Sequence, residues 1–337
     1  MASLKRGKQS FAFENTPVIT AWASVAGKKE KQGPLGHRFD MTSEDTYFGQ
    51  KTWEQGEKRM QQLALETLLK KAKISKQDVN VVCSGDLLNQ CIGSSFPLRN
   101  AGVPHIGLYG ACSTMAESLM IASMLVGGGF ADNAVAMTSS HFASSERQYR
   151  FPLGYGGQRT PTSQWTVTGS GAALECSQGK GPKITACTIG NVVDQGISDA
   201  NHMGAAMAPA ALSTIMAHFS DLHVDADDFD LIVTGDLGQA GKELLLCLAR
   251  KEGLNLGGKL TDCGAIVFDP EKQDVHSGGS GCGCSAITLC GYLLNSIATG
   301  KINKILFCGT GALLSPTSSQ QGLSIPGVCH AVAICGG

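Results

Sequence analysis

The sequence predicts an α/β fold built from two duplicated halves, layered αβαβα, with a buried helix at the centre of each half. Three observations carry this expectation. A short apolar run that closes in Ser/Thr-Gly-Asp-Leu occurs twice, as "DVNVVCSGDLL" (Asp78 to Leu88) and "DFDLIVTGDLG" (Asp228 to Gly238), 150 residues apart. A second echo follows in the same order. "GACSTMAESLMIASMLVGGGFADNAVAMTSS" matches "GCGCSAITLCGYLLNSIATGKINKILFCGTGA" at an offset of 172, which superposes Cys112 on Cys284 and Thr138 on Thr310. Short β-prone runs alternate with helical windows through both halves, the pattern of βαβ units.

The elements follow in order. In "EKRMQQLALETLLKKA", Met60, Leu63, Ala64, Thr67, Leu68 and Ala72 fall on one face at helical spacing. "VNVVC", "HIGLY" and "NAVAMT" in the first half, and "FDLIVT" and "NKILFC" in the second, are strand-like runs bounded by turn residues. Ser113 to Val126 and Ser285 to Ala298 are apolar around much of their circumference, which suits helices sandwiched between sheets. "WTVTGSGAALE" predicts a strand with a glycine bend. The halves divide as residues 1–180 and 181–337.

Composition narrows the function. The chain of 337 residues is 42% hydrophobic and 16% charged, which fits a well-buried globule. Lys and Arg total 27 against 28 Asp and Glu, and no basic run is interleaved with aromatics, so nucleic acid is not an expected partner. The thirteen cysteines lie mostly in apolar runs (Cys83, Cys187, Cys247, Cys290, Cys308 and Cys335 among them), as small core residues in a reducing compartment do. Cys282 and Cys284 form a lone C-x-C with no second pair at zinc-ligand spacing, and neither a metal site nor a cofactor is expected. The N-terminal "MASLKRGKQSFAFE" lacks the apolar core of a signal peptide, and no uninterrupted apolar run is long enough to span a bilayer.

The duplicated halves, with a cysteine in a small-residue turn ahead of a buried helix, resemble the thiolase and ketoacyl-synthase superfamily. That resemblance implies two mixed sheets. Longer motifs narrow it: "EKQGPLG", "SGDLLNQ", "GLYGACSTMAES", "YGGQRTPTSQWTVTGSGAAL", "MGAAMAPAA", "VTGDLG" and "GTGALLSP" all resemble the stage V sporulation protein AD family. The resemblance runs from about residue 10 to the C-terminus. It implies binding of dipicolinic acid (pyridine-2,6-dicarboxylate), alone or as its calcium chelate, during uptake into the forming spore. It also implies a peripheral position on the spore inner membrane beside membrane proteins of the same uptake system. Superfamily members are usually homodimers.

Cys112 sits at a bend where a helix N-terminus lowers a thiol pKa, so it is a candidate nucleophile. Condensing enzymes of the superfamily add histidines, or histidine and asparagine, to activate the thiol. Where thiolases carry one such histidine, this chain has Ser280 in "GSGCGCS". Where ketoacyl synthases carry theirs, it has Gly235 or Asp236 in "VTGDLG", and Cys329 is out of register with the second thiolase cysteine. His105 and His330 suit strand packing, and His202 and His276 lie in loops with no partner apparent. The expectation is a degenerate thiolase that binds a ligand without turnover. The alternative is acyl transfer through Cys112.

A flat dicarboxylate calls for donors at its ends and small or apolar walls along its faces. Expected contributors are the turns at Cys112 and Cys284, whose backbone N–H groups point toward a shared cavity, together with Ser280. The segment "SSHFASSERQYRFP" adds His141, Arg147 and Arg150, and superfamily folds place such a segment over the active site. Arg147 and Arg150 share a competing reading, solvated or paired with Glu146 and other acids; Arg150, flanked by Tyr149 and Phe151, is favoured of the two, and His141 reads equally as a ligand contact or a strand-end cap. Asp86 and Asp236, at equivalent places in the two Gly-Asp-Leu turns, more often fix such turns than act on a ligand. Trp165 is expected in the core and Arg159 at a gate or a dimer contact.

Overall fold

The computed structural model describes residues 4–149 and 159–337. Arg150 and the rest of the stretch 150–158 fall outside them. The first half contributes β1 (Val18–Ala26), β2 (Val81–Gly85), β3 (His105–Leu108), β4 (Asn133–Ser140), a short β5 (Trp165–Thr166) and β6 (Gly169–Cys176). The second contributes β7 (Lys183–Thr188), β8 (Leu231–Thr234), β9 (Leu260–Asp262), a short β10 (Gly279–Ser280), β11 (Lys304–Ala312) and β12 (Gly327–Cys335).

The main strands repeat one topology. In the first half the order is β3-β2-β4-β6-β1, and in the second β9-β8-β11-β12-β7. In each, the first three strands are parallel, the fourth runs antiparallel to them, and the fifth is antiparallel to the fourth. The two mixed sheets meet edge to edge through one antiparallel residue pair, Lys183 with Val18. The short β5 and β10 pair with each other in parallel, Trp165 opposite Gly279 and Thr166 opposite Ser280, and so tie the halves together a second time.

Six helices matter for the site: α1 (Trp53–Ala72), α2 (Thr114–Gly127), α3 (Phe142–Tyr149), α4 (Met203–Leu222), α5 (Gly238–Lys251) and α6, which opens at Cys282–Thr288. The core separates into layers. Met60, Ala64, Leu65 and Leu68 of α1 pack on the outer face of the first sheet. Met115 and Leu119 of α2 and Ile287 of α6 pack between the sheets. Met207 and Ile215 of α4, with Leu245 of α5, cover the second sheet from outside. This is the αβαβα order, with α2 and α6 apolar all round because each has a sheet on both sides.

Local departures have physical reasons. The buried face of α1 is centred on Met60, Ala64 and Leu68 as the spacing predicts, but it turns toward Gln61, Leu65 and Leu69, leaving Leu63, Thr67 and Ala72 only partly covered. After Thr288 the central helix widens into a π-helical turn, Leu289–Leu293, before resuming at Leu294–Ala298. Phe39 presses into that turn at Gly291, where a Cβ would lie 2.7 Å from its ring, so only glycine fits. All thirteen cysteines are free thiols. Cys247 is exposed, contrary to the core placement its run "LLLCLA" suggests. It lies about 200° around α5 from Leu245 and Ala249, which face inward. Among the described residues no helix is long and apolar enough to cross a membrane, and no group of His, Cys, Asp and Glu is placed to hold a metal ion.

Candidate functional site

The site forms where the two halves face each other. A tight turn, Ala111–Ser113, precedes α2 and presents Cys112 to a narrow cavity of about 50 Å³. Ala111 holds a left-handed φ of 53° without glycine's freedom, so the bend that aims Cys112 is locally strained. Leu87, Met203, Ala312 and Leu314 supply apolar wall; Ser280, Thr166, Glu146 and Tyr149 supply polar groups. Cys112 is 6% exposed and Ser280 2%. The Thr166 hydroxyl donates to Glu146 at 2.9 Å, and the Tyr149 hydroxyl donates to the Leu87 carbonyl.

The partner of Cys112 is an acid. Its thiol lies beside the Asp236 carboxyl, which accepts from Gly281 N at 2.8 Å and Thr310 Oγ1 at 2.9 Å. Burial pushes the Cys112 thiol up, and the adjacent Asp236 carboxyl pushes it further. Burial likewise raises Asp236, and its hydrogen bonds hold that rise back. This is the reverse of a cysteine–imidazolium pair, where a neighbouring cation stabilises the thiolate. Gly281 must be glycine here. Its φ is 99°, its N–H serves Asp236, and a Cβ would lie 2.7 Å from Ser140 Oγ.

Asp236 itself needs no role in its own turn, because Asp262 fixes that turn. The Asp262 carboxyl accepts from Thr234 Oγ1 (2.7 Å), Leu237 N (2.8 Å), Gly238 N (2.9 Å) and Ala265 N (3.0 Å). Burial raises Asp262 to about 7. In the first half Asp86 fixes its turn directly, accepting from Leu88 N (2.8 Å), Ser94 N (2.7 Å) and Ser94 Oγ (2.6 Å). The turn-fixing reading therefore holds for Asp86 and fails for Asp236.

Of the residues singled out from sequence, the structure brings Cys112 and Ser280 together on the cavity. Cys284 is fully buried between the sheets, and burial pushes its thiol well up. His141 faces away from the cavity: its Nε2 lies 2.7 Å from the Thr46 carbonyl, and it lines a separate pocket. Arg147 pairs with Glu54 and lies over the Trp53 ring, outside the cavity lining. Arg150 is outside the described residues. The backbone donors expected from the Cys284 turn are already engaged, Gly281 N by Asp236 and Gly283 N by Ser140 Oγ.

The histidines divide similarly. His105 meets Ser84 Oγ at 2.9 Å, and His330 accepts from Gly190 N at 3.1 Å with its pKa lowered to about 4 by burial. His276 has a partner after all, Asp274 at 3.4 Å. Trp165 is half-buried rather than core, stacked on Phe142 at 3.8 Å, and Arg159 pairs with Asp274 at 2.7 Å. No histidine lines the Cys112 cavity among the described residues. Sequence reasoning missed Glu146, Thr166 and Tyr149 as cavity residues. The helical spacing of Ser145, Glu146 and Tyr149 in "SSERQY" was the available signal.

Comparison with known proteins fits this geometry. A family model for stage V sporulation protein AD matches residues 7–335. The chain belongs to that family. It is 43% identical over 326 residues to stage V sporulation protein AD of Bacillus subtilis (strain 168), covering 97% of this chain and 96% of the relative. A role in sporulation goes with that membership. Among solved structures, 3-oxoacyl-[acyl-carrier-protein] synthase III from Aquifex aeolicus VF5 aligns with a TM-score of 0.57 and 13% identity, covering 95% of this chain and 99% of that one. The E117D variant of Xanthomonas campestris OleA aligns with a TM-score of 0.61 and 15% identity, covering 96% and 97%. The chain thus has a thiolase-like fold, and its structural neighbours include enzymes.

Proposed function

We propose that this chain binds dipicolinic acid at the Cys112 cavity, which must widen from about 50 Å³ to admit the ring, without turning it over, as part of its uptake into the developing spore. The observation that carries the non-catalytic reading is the Asp236 carboxyl set beside the buried Cys112 thiol, with burial and that charge both opposing the thiolate. A thiol held protonated by a carboxylate is a poor nucleophile, and no imidazole lines the cavity among the described residues to take its proton. The apolar wall of Leu87, Met203 and Leu314 suits the faces of a pyridine ring.

The charge of the lining favours the calcium chelate. Asp236 lies behind Cys112, and no Lys or Arg lines the cavity among the described residues. A free dianion would face like charge; the chelate cancels its own. Dipicolinate would carry most of the calcium ligands. Arg150 would act as counter-ion if the free acid binds. The proposal extends to a homodimer seated on the spore inner membrane by membrane proteins of the same system.

Calorimetric titration with pyridine-2,6-dicarboxylate, with and without calcium and with picolinate as control, tests the reading. Selective, calcium-enhanced binding of the diacid is expected. No heat at millimolar ligand in either condition would refute it for the isolated chain. Incubation with acyl-CoA should leave the intact mass unchanged, and a stable adduct on Cys112 would favour acyl transfer.

A further inference from the structure

A second pocket, of about 220 Å³, lies behind the wall that bounds the Cys112 cavity. That wall is α3 with β5. Glu146, Tyr149 and Thr166 face the Cys112 cavity, whereas His141, Phe142 and Trp165 face the second pocket. Two buried polar side chains line it with an atom left unpartnered. Glu30 is 1% exposed; one carboxyl oxygen accepts from Thr168 N at 3.0 Å and Oε2 has no partner. His141 is also 1% exposed. Its Nε2 must carry the proton to meet the Thr46 carbonyl at 2.7 Å, so Nδ1 is a lone-pair acceptor, and it has no partner.

Buried acceptors are rarely left unmade in folded chains, and once Glu30, raised to about 7 by burial, is ionised, two on one pocket call for a donor from outside. The pocket also carries Lys28 and Lys29, with Lys29 Nζ 3.7 Å from the Trp165 ring centroid. A simple anion would meet the Glu30 carboxyl, and a simple cation would meet two lysines. A molecule with both charges on groups attached to one carbon satisfies both. Trp53 and Phe142 add apolar wall. The volume is below the roughly 300–1,000 Å³ of sites for drug-sized ligands, so the occupant is small.

We propose that this pocket binds a free α-amino acid or a close amino-carboxylate, its ammonium donating to Glu30 Oε2 and His141 Nδ1 and its carboxylate facing Lys28 and Lys29. The site is independent of the reading at Cys112. Because α3 and β5 form one wall of each pocket, occupancy of one bears on the placement of Glu146 and Tyr149 in the other.

The test is calorimetric titration of the full chain at about pH 8, where Glu30 is ionised, with L-alanine, L-leucine and L-phenylalanine, each paired with its N,N,N-trimethyl derivative. The derivative keeps both charges and has no N–H to donate. Saturable binding of at least one parent is expected, with its derivative weaker by about tenfold or more. Glu30→Gln should weaken that parent about tenfold and leave the dipicolinate titration unchanged. Absence of binding by all three parents at about 10 mM overturns the proposal, as does equal binding of parent and derivative or an unchanged affinity in Glu30→Gln. Should Glu30→Gln fail to fold, the derivative comparison on the natural chain decides alone.

Discussion

The two Gly-Asp-Leu turns occupy equivalent places in the duplicated halves and have come to opposite uses. In the first half Asp86 is spent on its own turn, bound to Leu88 and Ser94. In the second half that work belongs to Asp262, at the end of the neighbouring strand β9, opposite Thr234. The matching place on β3, opposite Ser84, is Gly107, which has no side chain to accept a bond. Asp236 is thereby released to reach Gly281, Thr310 and Cys112. The paired cysteines diverge in step, Cys112 lining a cavity and Cys284 closed in the core. One copy of a turn can hold a site because a second carboxylate took over its structural duty.

The sharpest way to break this comparison is to delete each turn-fixing acid. Asp262→Ala leaves Leu237 N, Gly238 N, Ala265 N and the Thr234 hydroxyl without their acceptor in a buried place. A loss of about 3–5 kcal/mol is expected, measured by urea unfolding. Asp86→Ala should cost about 2–4 kcal/mol by the same measurement. Only Asp262→Ala should also alter the reactivity of Cys112, since only that turn carries its partner. Equal effects of both variants on Cys112 would undo the division of labour.

Asp236→Asn tests the electrostatic half of the argument. The amide can still accept from Gly281 N, so the fold should persist while the charge that opposes thiolate formation is gone. Alkylation of Cys112 by iodoacetamide at neutral pH, followed on its own peptide by mass spectrometry, should speed up about tenfold, one pKa unit of added thiolate. Cys284 should stay unmodified in both forms until the chain unfolds. A Cys112 rate that does not change would mean burial alone protects the thiol.

Acidity gives a smaller, signed effect. Burial raises Asp262 and Glu30 each to about 7, above their unfolded values, so the native state holds protons that the unfolded chain has released. Stability from these groups is full below the unfolded carboxyl pKa and is lost as pH rises through about 7. Below about 6.5 the buried His218 and His330, both lowered to about 4, act in the opposite sense. Between about pH 7 and 8.5 the acids dominate, Glu57 (raised by burial to about 8) among them, and unfolding free energy should fall by about 2 kcal/mol. Asp262→Asn should flatten that fall; a profile that rises with pH would contradict the buried, protonated acids.

Much of this was legible in the sequence. Both echoes marked equivalent strands and helices, and the apolar girth of α2 and α6 announced the central layer. Cys112 and Ser280 were paired through motif positions, and they share a cavity. What stayed hidden depended on distance in the fold. Asp262 sits in "LTDCG", with no motif tying it to a turn some 25 residues upstream, and only the parallel pairing of β8 with β9 brings it there. Glu146 read as an arginine's partner because a single helix face was not followed through Ser145 and Tyr149. His141 and Arg147 were drawn toward the ligand by their place after a strand. The turn at Ser140 sends His141 to Thr46 and α3 carries Arg147 to Glu54.

Arg147 supplies the smallest expected effect, and it decides how far the cavity extends along α3. Its side chain is half exposed and bonded to Glu54 at the rim of α1, two residues from the cavity-lining Tyr149 but on another side of the helix. An exposed ion pair of this kind contributes about 0–1 kcal/mol. Arg147→Ala should therefore shift urea stability by less than about 1 kcal/mol and leave dipicolinate affinity within about twofold. A loss of affinity tenfold or greater would bring Arg147 into the site, which requires α3 to turn on binding and its Glu54 pair to open. Glu54→Gln separates the two cases: it removes the pair without touching the arginine, so a ligand that recruits Arg147 should bind this variant more tightly, and one that ignores Arg147 should bind it as before.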